Sequence, residues 1–195
     1  MGGEQEVGVE RFGERALFLD RDGVINEEIG YLVRSEDTRF VRGIFELCRE
    51  ARALGYRLIV VTNQAGIARG YYTEDDYHAL MDWMRGEFAR EGCPLDAVYF
   101  CPFHPEHGVG HYKCDSLDRK PGPGLLLRAA AEFGLDLSQS VFVGDRCTDI
   151  AAGNAAGVGS MLLLSGTELE TVSCGGEYHV IQKLDEVRRW LIQRG

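Results

Sequence analysis

No stretch of this 195-residue chain is apolar for long enough to cross a bilayer, so a membrane-spanning helix is not expected. Basic charge is scarce as well. Twenty-one lysines and arginines stand against 31 aspartates and glutamates, a formal charge of −10. Proteins that bind nucleic acid or anionic membranes in general need a basic face, so neither partner is expected. A few local cations can still invert the potential inside a cleft, and a phosphorylated substrate stays open. The opening residues, Met1-Gly2-Gly3-Glu4-Gln5-Glu6, lack the cationic and apolar regions of a secretory signal. Without that signal the six scattered cysteines (Cys48, Cys93, Cys101, Cys114, Cys147, Cys174) read as reduced thiols, and a cytoplasmic location is expected. Repeats, low-complexity tracts and linkers are lacking too.

What is present is ordinary for a globular protein: 45% hydrophobic and 27% charged residues, in a length that suggests one domain. Residues 1–14 lack apolar periodicity and are expected to be a flexible lead-in, leaving 15–195 as a single domain. Beyond them short apolar runs alternate with amphipathic stretches. Ala16-Leu17-Phe18-Leu19, Tyr56 to Thr62, Asp96 to Cys101, Val141-Phe142-Val143, Met161 to Leu164 and His179-Val180-Ile181 read as strands. Ile44, Leu47, Cys48, Ala51 and Leu54 fall at helical spacing, with Gly55 as a stop. Thr73 and Asp76 resemble a helix N-terminus, behind which Tyr77, Leu80, Met81, Met84 and Phe88 form a stripe read as core. Gly124 to Phe133 and Thr148 to Ala156 are the next helices, and Asp185 is expected to cap a last one. This alternation predicts a doubly wound, mostly parallel sheet in three α/β/α layers. Residues 101–124 break the rhythm: a long loop rich in His, Pro, Gly and Cys, of the kind that tends to be functional.

In such sheets ligands bind at the carboxyl ends of the strands, and here those ends hold chemistry. Asp20 and Asp22 close the first strand, two positions apart, a spacing that puts both on one side while the chain is extended. Such acids can hold a hard cation, and one can attack an electrophile while the other handles a proton. Asp-Gly after a strand is equally ordinary turn chemistry. The second strand ends in Thr62-Asn63-Gln64, a hydroxyl and two amides able to donate to a phosphoryl oxygen. Lys120, in Asp118-Arg119-Lys120-Pro121, is expected to open the helix before the fourth strand, which itself ends in Gly144-Asp145-Arg146 followed by Asp149. Singly these are turns, loops and solvated surface. In this order, each at the right end of its element, they read as a site.

The series DRDGV, VTNQ, RKP and GDRCTD resembles the four motifs of the haloacid dehalogenase superfamily of aspartate-nucleophile phosphatases. The longer strings DRDGVIN with Gly30-Tyr31, TNQAGIARG, CPFHPEHG, DRKPGPG and VGDRCTDI are similar to the branch acting on D-glycero-D-manno-heptose 1,7-bisphosphate, with histidinol-phosphate phosphatases as its sister. The resemblance implies that Asp20 is the nucleophile, Asp22 the acid and base, Thr62 a donor to the transferring phosphoryl group, and Lys120 its neutralising cation. It implies Mg²⁺ on Asp20, Asp145 and the main-chain carbonyl of Asp22, with Asp149 in support. Glu28, Ile29, Gly30, Tyr31, Asn63, Gln64, Ala65, Arg119 and Arg146 match substrate-contacting positions. Arg119 and Arg146 suit a second phosphate, since a guanidinium clamps phosphate bidentately; the plain alternative is two surface arginines.

The chain departs from that branch where many members hold structural zinc. Phe103 stands in place of a histidine and Ser116 in place of a cysteine, so two of four ligands are missing and zinc is not expected. A rearranged site on Cys101, Cys114 and two of His104, His107 and His111 is the alternative; otherwise Phe103 packs inward. No segment is long enough for a separate cap domain. The leading expectation is a Mg²⁺-dependent sugar-bisphosphate phosphatase, monomeric or weakly oligomeric, acting in nucleotide-activated heptose supply. Histidinol-phosphate phosphatase, a generalist sugar phosphatase and a regulatory phospho-acceptor domain are the alternatives. Asp22 speaks against the last, because a long-lived acyl-phosphate does not want an acid/base two residues away.

Overall fold

The computed structural model describes residues 13–165 and 174–194. Six strands, β1 (Arg15–Leu19), β2 (Tyr56–Asn63), β3 (Ala97–Cys101), β4 (Val141–Gly144), β5 (Ser160–Leu164) and β6 (His179–Ile181), form one parallel sheet in the order β3-β2-β1-β4-β5-β6. Period-2 alternation along the strands separates two cores. Leu17, Leu19, Leu58 and Val60 face one side with helices α1 (Ile44–Ala53) and α6 (Leu184–Arg194); Ala16, Phe18, Ile59 and Val61 face the other with α4 (Gly124–Phe133) and α5 (Cys147–Ala156). The sequence therefore reads as doubly wound, and the structure is.

Two further helices follow β2: the single turn α2 (Ala65–Ala68) and the long α3 (Glu74–Arg90). The Thr73 hydroxyl accepts from Asp76 N and the Asp76 carboxylate accepts from Thr73 N, a complete capping box. The buried residues of α3 are Tyr77, Leu80, Met81, Met84 and Phe88, the predicted stripe. Gly134 terminates α4 in the left-handed region (φ 62°), where a Cβ would be strained.

Four expectations need correction. Lys120 does not open α4. Pro121, Gly122 and Pro123 delay the helix to Gly124, which leaves Lys120 in the preceding turn. Asp185 lies inside the first turn of α6, and Glu186 Oε1 accepts from the main-chain N–H groups of Gln182 and Lys183 instead. Gly13 and Glu14 belong to the folded unit: Glu14 accepts two bonds from Arg57, and its carbonyl accepts from Asp136 N at 2.8 Å. Residues 1–12 of the expected lead-in lie outside the described residues. Finally, the cysteines are not all reduced thiols. Cys147, the first residue of α5, is joined to Cys174 across 27 residues, with Cα atoms 4.7 Å apart. Pairing over that distance is a product of the fold, so spacing alone does not disclose it. Cys48, Cys93, Cys101 and Cys114 are free.

The loop 101–124 is ordered by packing. Phe103 lies against the second core and near the Tyr112 ring, His104 N donates to Tyr112 O, and Val109 N donates to Ala68 O at the end of α2. Cys101 is buried beneath Phe103. Among the described residues the cysteines and histidines of this loop do not converge as a ligand group. No described helix is long and apolar enough to cross a membrane.

Candidate active site

Strand β1 lies between β2 and β4, so the chain reverses its winding direction beside it and opens a crevice at the strands' carboxyl ends. The register pairs Leu19 with both Val60 and Val143, beyond which β2 runs on to Asn63 and β4 to Gly144. Asp20, Thr62 and the Gly144-Asp145 turn thereby come to one place. A cavity of about 390 Å³ opens there, lined by Asp20, Asp22, Thr62, Lys120 and Asp149 at its base.

Lys120 fixes that base. Its buried ammonium donates to Val61 O at 2.9 Å and lies 2.9 Å from Asp20 Oδ1 and 2.6 Å from Asp149 Oδ1. The ammonium is thus set against one carbonyl and two carboxylates. Burial works to lower the Lys120 pKa, but Asp20 and Asp149 outweigh it and hold the charge in place. Asn63 grips the main chain of Lys120 from both sides, its Nδ2 donating to Lys120 O and its Oδ1 accepting from Lys120 N, each at 3.0 Å. The Asp149 carboxylate also accepts from Arg146 N at 3.0 Å, tying the fourth strand's turn to the same lysine.

Asp20, Asp145 and Asp149 each offer an oxygen within 4.8 Å of the others. Burial pushes the Asp20 carboxyl up to about 7, with Lys120 opposing and the two neighbouring carboxylates adding to the rise. Burial, then Asp149, pushes Asp145 up to about 6 against the pull of Arg146 and Lys120. One lysine does not balance this group. Asp145 Oδ1 is buried without a hydrogen-bond partner, and a Cβ on Gly23 (φ +89°) would strike the Asp145 carboxylate. An orphaned oxygen in an under-neutralised cluster of hard donors fits a divalent cation such as Mg²⁺, which would favour the ionised carboxylates.

Asp22 is held by a separate net. The buried Arg21 guanidinium donates to both of its oxygens at 2.8–3.1 Å, Asn26 Nδ2 donates at 3.0 Å, and Gln64 Nε2 at 3.2 Å. The same Gln64 Nε2 donates to Thr62 Oγ1 at 2.8 Å, while the Tyr72 hydroxyl donates to Gln64 Oε1 at 2.6 Å. Thr62 therefore accepts from the protein and keeps its own proton for the cavity. The side-chain amides of Asn63 and Gln64, expected to reach a phosphoryl oxygen, are instead engaged within the scaffold.

Higher on the cavity wall stand Glu28, Gly30, Tyr31, Ala65, Arg119 and Arg146. Ile29 is not brought in; its side chain is half-exposed and outside the lining. Asp145 joins the carboxylate group and borders a second cavity of about 970 Å³ rather than the first. The two arginines differ. Arg146 is paired with Glu28 at 2.7 Å and lies 3.8 Å from Asp145. Arg119 makes one hydrogen bond, from Nη1 to Phe103 O at 3.2 Å, and is lowered in pKa by burial and by Arg69. Arg69, Tyr72, Gly66, Thr148 and His104 also line the cavity. Arg69 sits inside the motif string Thr62 to Gly70, a position that could have marked it; the Tyr72–Gln64 link has no local signature.

Comparison with known proteins gives this geometry a context. A HAD-hydrolase-like family model matches residues 117–187. Over 159 residues the chain is 58% identical to the D-glycero-alpha-D-manno-heptose-1,7-bisphosphate 7-phosphatase of Burkholderia mallei (strain ATCC 23344), covering 82% of this chain and 84% of that protein. The chain belongs to the heptose-bisphosphate phosphatase branch of the haloacid dehalogenase superfamily. It is a phosphoric monoester hydrolase. Members named for the other anomer are similar too: the D-glycero-beta-D-manno-heptose-1,7-bisphosphate 7-phosphatase of Vibrio cholerae serotype O1 is 46% identical, covering 76% of this chain and 80% of that protein. Among solved structures, the D,D-heptose 1,7-bisphosphate phosphatase from B. bronchiseptica, complexed with magnesium and phosphate, superposes with a TM-score of 0.78 at 28% identity, covering 93% of this chain and 99% of that one. Phosphatases of this superfamily use Mg²⁺, and the donor set of Asp20 and Asp145 suits it.

Proposed function

We propose that the chain removes the C7 phosphate of D-glycero-D-manno-heptose 1,7-bisphosphate, in the supply of nucleotide-activated heptose for surface polysaccharide of the lipopolysaccharide type. The observation that supports this most is a cavity with Asp20, Lys120 and Thr62 at its base and, on its wall, an Arg119 guanidinium with no carboxylate partner among the described residues. A monophosphate would leave that cation unanswered; a bisphosphate answers it.

The chemistry follows from the contacts. Asp20 attacks phosphorus with the carboxylate oxygen not held by Lys120, and the bond between phosphorus and the C7 oxygen breaks. Asp22 gives its proton to the departing alkoxide. Asp22 then takes a proton from water as that water attacks the aspartyl-phosphate, releasing inorganic phosphate and restoring Asp20. Lys120 neutralises the phosphoryl group and keeps Asp20 aimed, and Thr62 donates its free proton to an equatorial oxygen. Mg²⁺ held by Asp20, Asp145 and the Asp22 carbonyl would screen carboxylate from phosphate and stabilise the developing charge. Asp149 positions Lys120. Glu28, Gly30, Tyr31 and Ala65 form the surround for the sugar, Ile29 staying outside it, Asn63 and Gln64 act through Lys120 and Thr62, and Arg119 serves the second phosphate, while Arg146, expected to share that role, is held by Glu28. The expected setting is the cytoplasm, as a monomer or weak oligomer.

Phosphate release from the heptose bisphosphate, histidinol phosphate and common sugar monophosphates tests the proposal. The expected result is a kcat/KM for the bisphosphate well above every other substrate. Preference for histidinol phosphate, or no preference at all, would overturn it.

A further inference from the structure

We propose that Arg69 is a specificity-determining residue, pairing with Arg119 to grip the phosphate that is not transferred. The inference rests on the bisphosphate reading and adds a residue to it. Arg69 ends the turn α2, and its place is fixed by the main chain: Arg69 N donates to Ala65 O at 3.0 Å, while the neighbouring Ala68 O accepts from Val109 N at 2.8 Å. The root of the side chain is therefore clamped between the second strand's end and the long loop. The guanidinium lines the cavity. Its Nε is buried with no hydrogen-bond partner, and among the described residues no carboxylate lies within 4.0 Å of it.

In a chain of formal charge −10, a partly buried arginine without a counter-ion is unusual. Here there are two. Among the described residues Arg119 also lacks a carboxylate partner, and Arg69 is close enough to depress its affinity for a proton. Both cations act on His104, whose imidazole lines the same cavity. His104 Nδ1 accepts main-chain N–H groups from Glu106 and His107 at 3.2 and 3.1 Å, so its proton sits on Nε2, a third donor at this end. Like charges held together at partial burial repel, and a dianion between them turns that repulsion into attraction. Arg146 does not share this state, because Glu28 already neutralises it. The ligand class is a phosphate monoester dianion, which guanidinium groups bind through paired N–H donors.

The test uses the full chain with Mg²⁺ and compares kcat/KM for heptose 1,7-bisphosphate with that for heptose 7-phosphate, which lacks the second phosphate. Arg69→Gln is expected to lower the value for the bisphosphate about tenfold or more, chiefly through KM, and the value for the monophosphate by much less. Arg69→Lys should regain part of the loss, since it returns the charge without the fork. If the wild type prefers the bisphosphate and Arg69→Gln retains that preference, Arg69 does not read the second phosphate while the bisphosphate reading stands. An equal loss on both substrates gives Arg69 a structural role and overturns the proposal. A wild type indifferent between the two substrates overturns this proposal and the bisphosphate reading together.

Discussion

Lys120 holds together three groups that sequence alone scatters over 129 positions, from Asp20 to Asp149. Replacing it with Ala removes the neutralising charge and leaves two buried carboxylates facing each other, so turnover of every phosphate ester should fall alike. Arg119→Ala should instead depress the bisphosphate selectively. The ratio of kcat/KM for bisphosphate and monophosphate separates the two variants; a ratio unchanged by Arg119→Ala would remove the physical basis for a second phosphate. Asp20→Asn should abolish phosphate release while the fold survives, as no core packing is touched, and near-normal release would end the covalent mechanism. Gly23→Ala should weaken Mg²⁺ binding, because its Cβ meets the Asp145 carboxylate and its φ of +89° disfavours a side chain; titration calorimetry with Mg²⁺ reads this directly. At this scale the sequence is legible where candidate residues sit on motifs: Asp20, Asp22, Thr62 and Lys120, read as candidates, all line one cavity. It was not legible where a role depends on a missing partner. That Arg69 lacks a counter-ion, that Arg146 has one in Glu28, and that Gln64 faces Thr62 and Asp22 are facts of three-dimensional placement.

The elements were readable wherever local chemistry agreed with tertiary need. Continuous β-branched runs gave β2 within a residue at one end, and the Thr73/Asp76 pair marked the start of α3. Local signals also give α4 its bounds, Gly124 to Phe133, although Lys120 lies in the turn before it and does not open it; α2, a single turn inside a motif string, has no such signal. The Cys147–Cys174 bond belongs to the same category, joining the first residue of α5 to the approach to β6. Because α3 is capped by a full capping box, Thr73→Ala should cost about 1 kcal/mol. For a chain of this length that lowers the melting temperature by roughly 2–4 °C. Since Thr73 touches no part of the site, kcat should stay near the wild-type value; a large loss of kcat with no change in melting would contradict that separation.

For the molecule as a whole, charge is the organising quantity. Asp20, Asp145 and Asp149 meet around one lysine, and the raised pKa values of Asp20 and Asp145 link metal, proton and stability. Both Asp20 and Asp145 are raised above the ordinary carboxylate value, so the metal-free native state binds protons that the unfolded chain has already released. Their contribution to stability is present at low pH and is lost as pH rises toward about 6 and about 7. A cation competes with those protons. The Mg²⁺-induced rise in melting temperature should therefore be larger at about pH 8 than at about pH 5.5; a rise independent of pH would show that these carboxylates do not hold the metal. Charge also sets what the protein should do to its substrate, with an anion consumed at the base of the cavity and a second one retained on its wall. Phosphorus NMR of heptose 1,7-bisphosphate during turnover tests that most directly. The C7 phosphomonoester signal should convert to inorganic phosphate while the anomeric phosphate signal persists; loss of the anomeric signal first, or an unchanged bisphosphate, would contradict removal of the C7 phosphate.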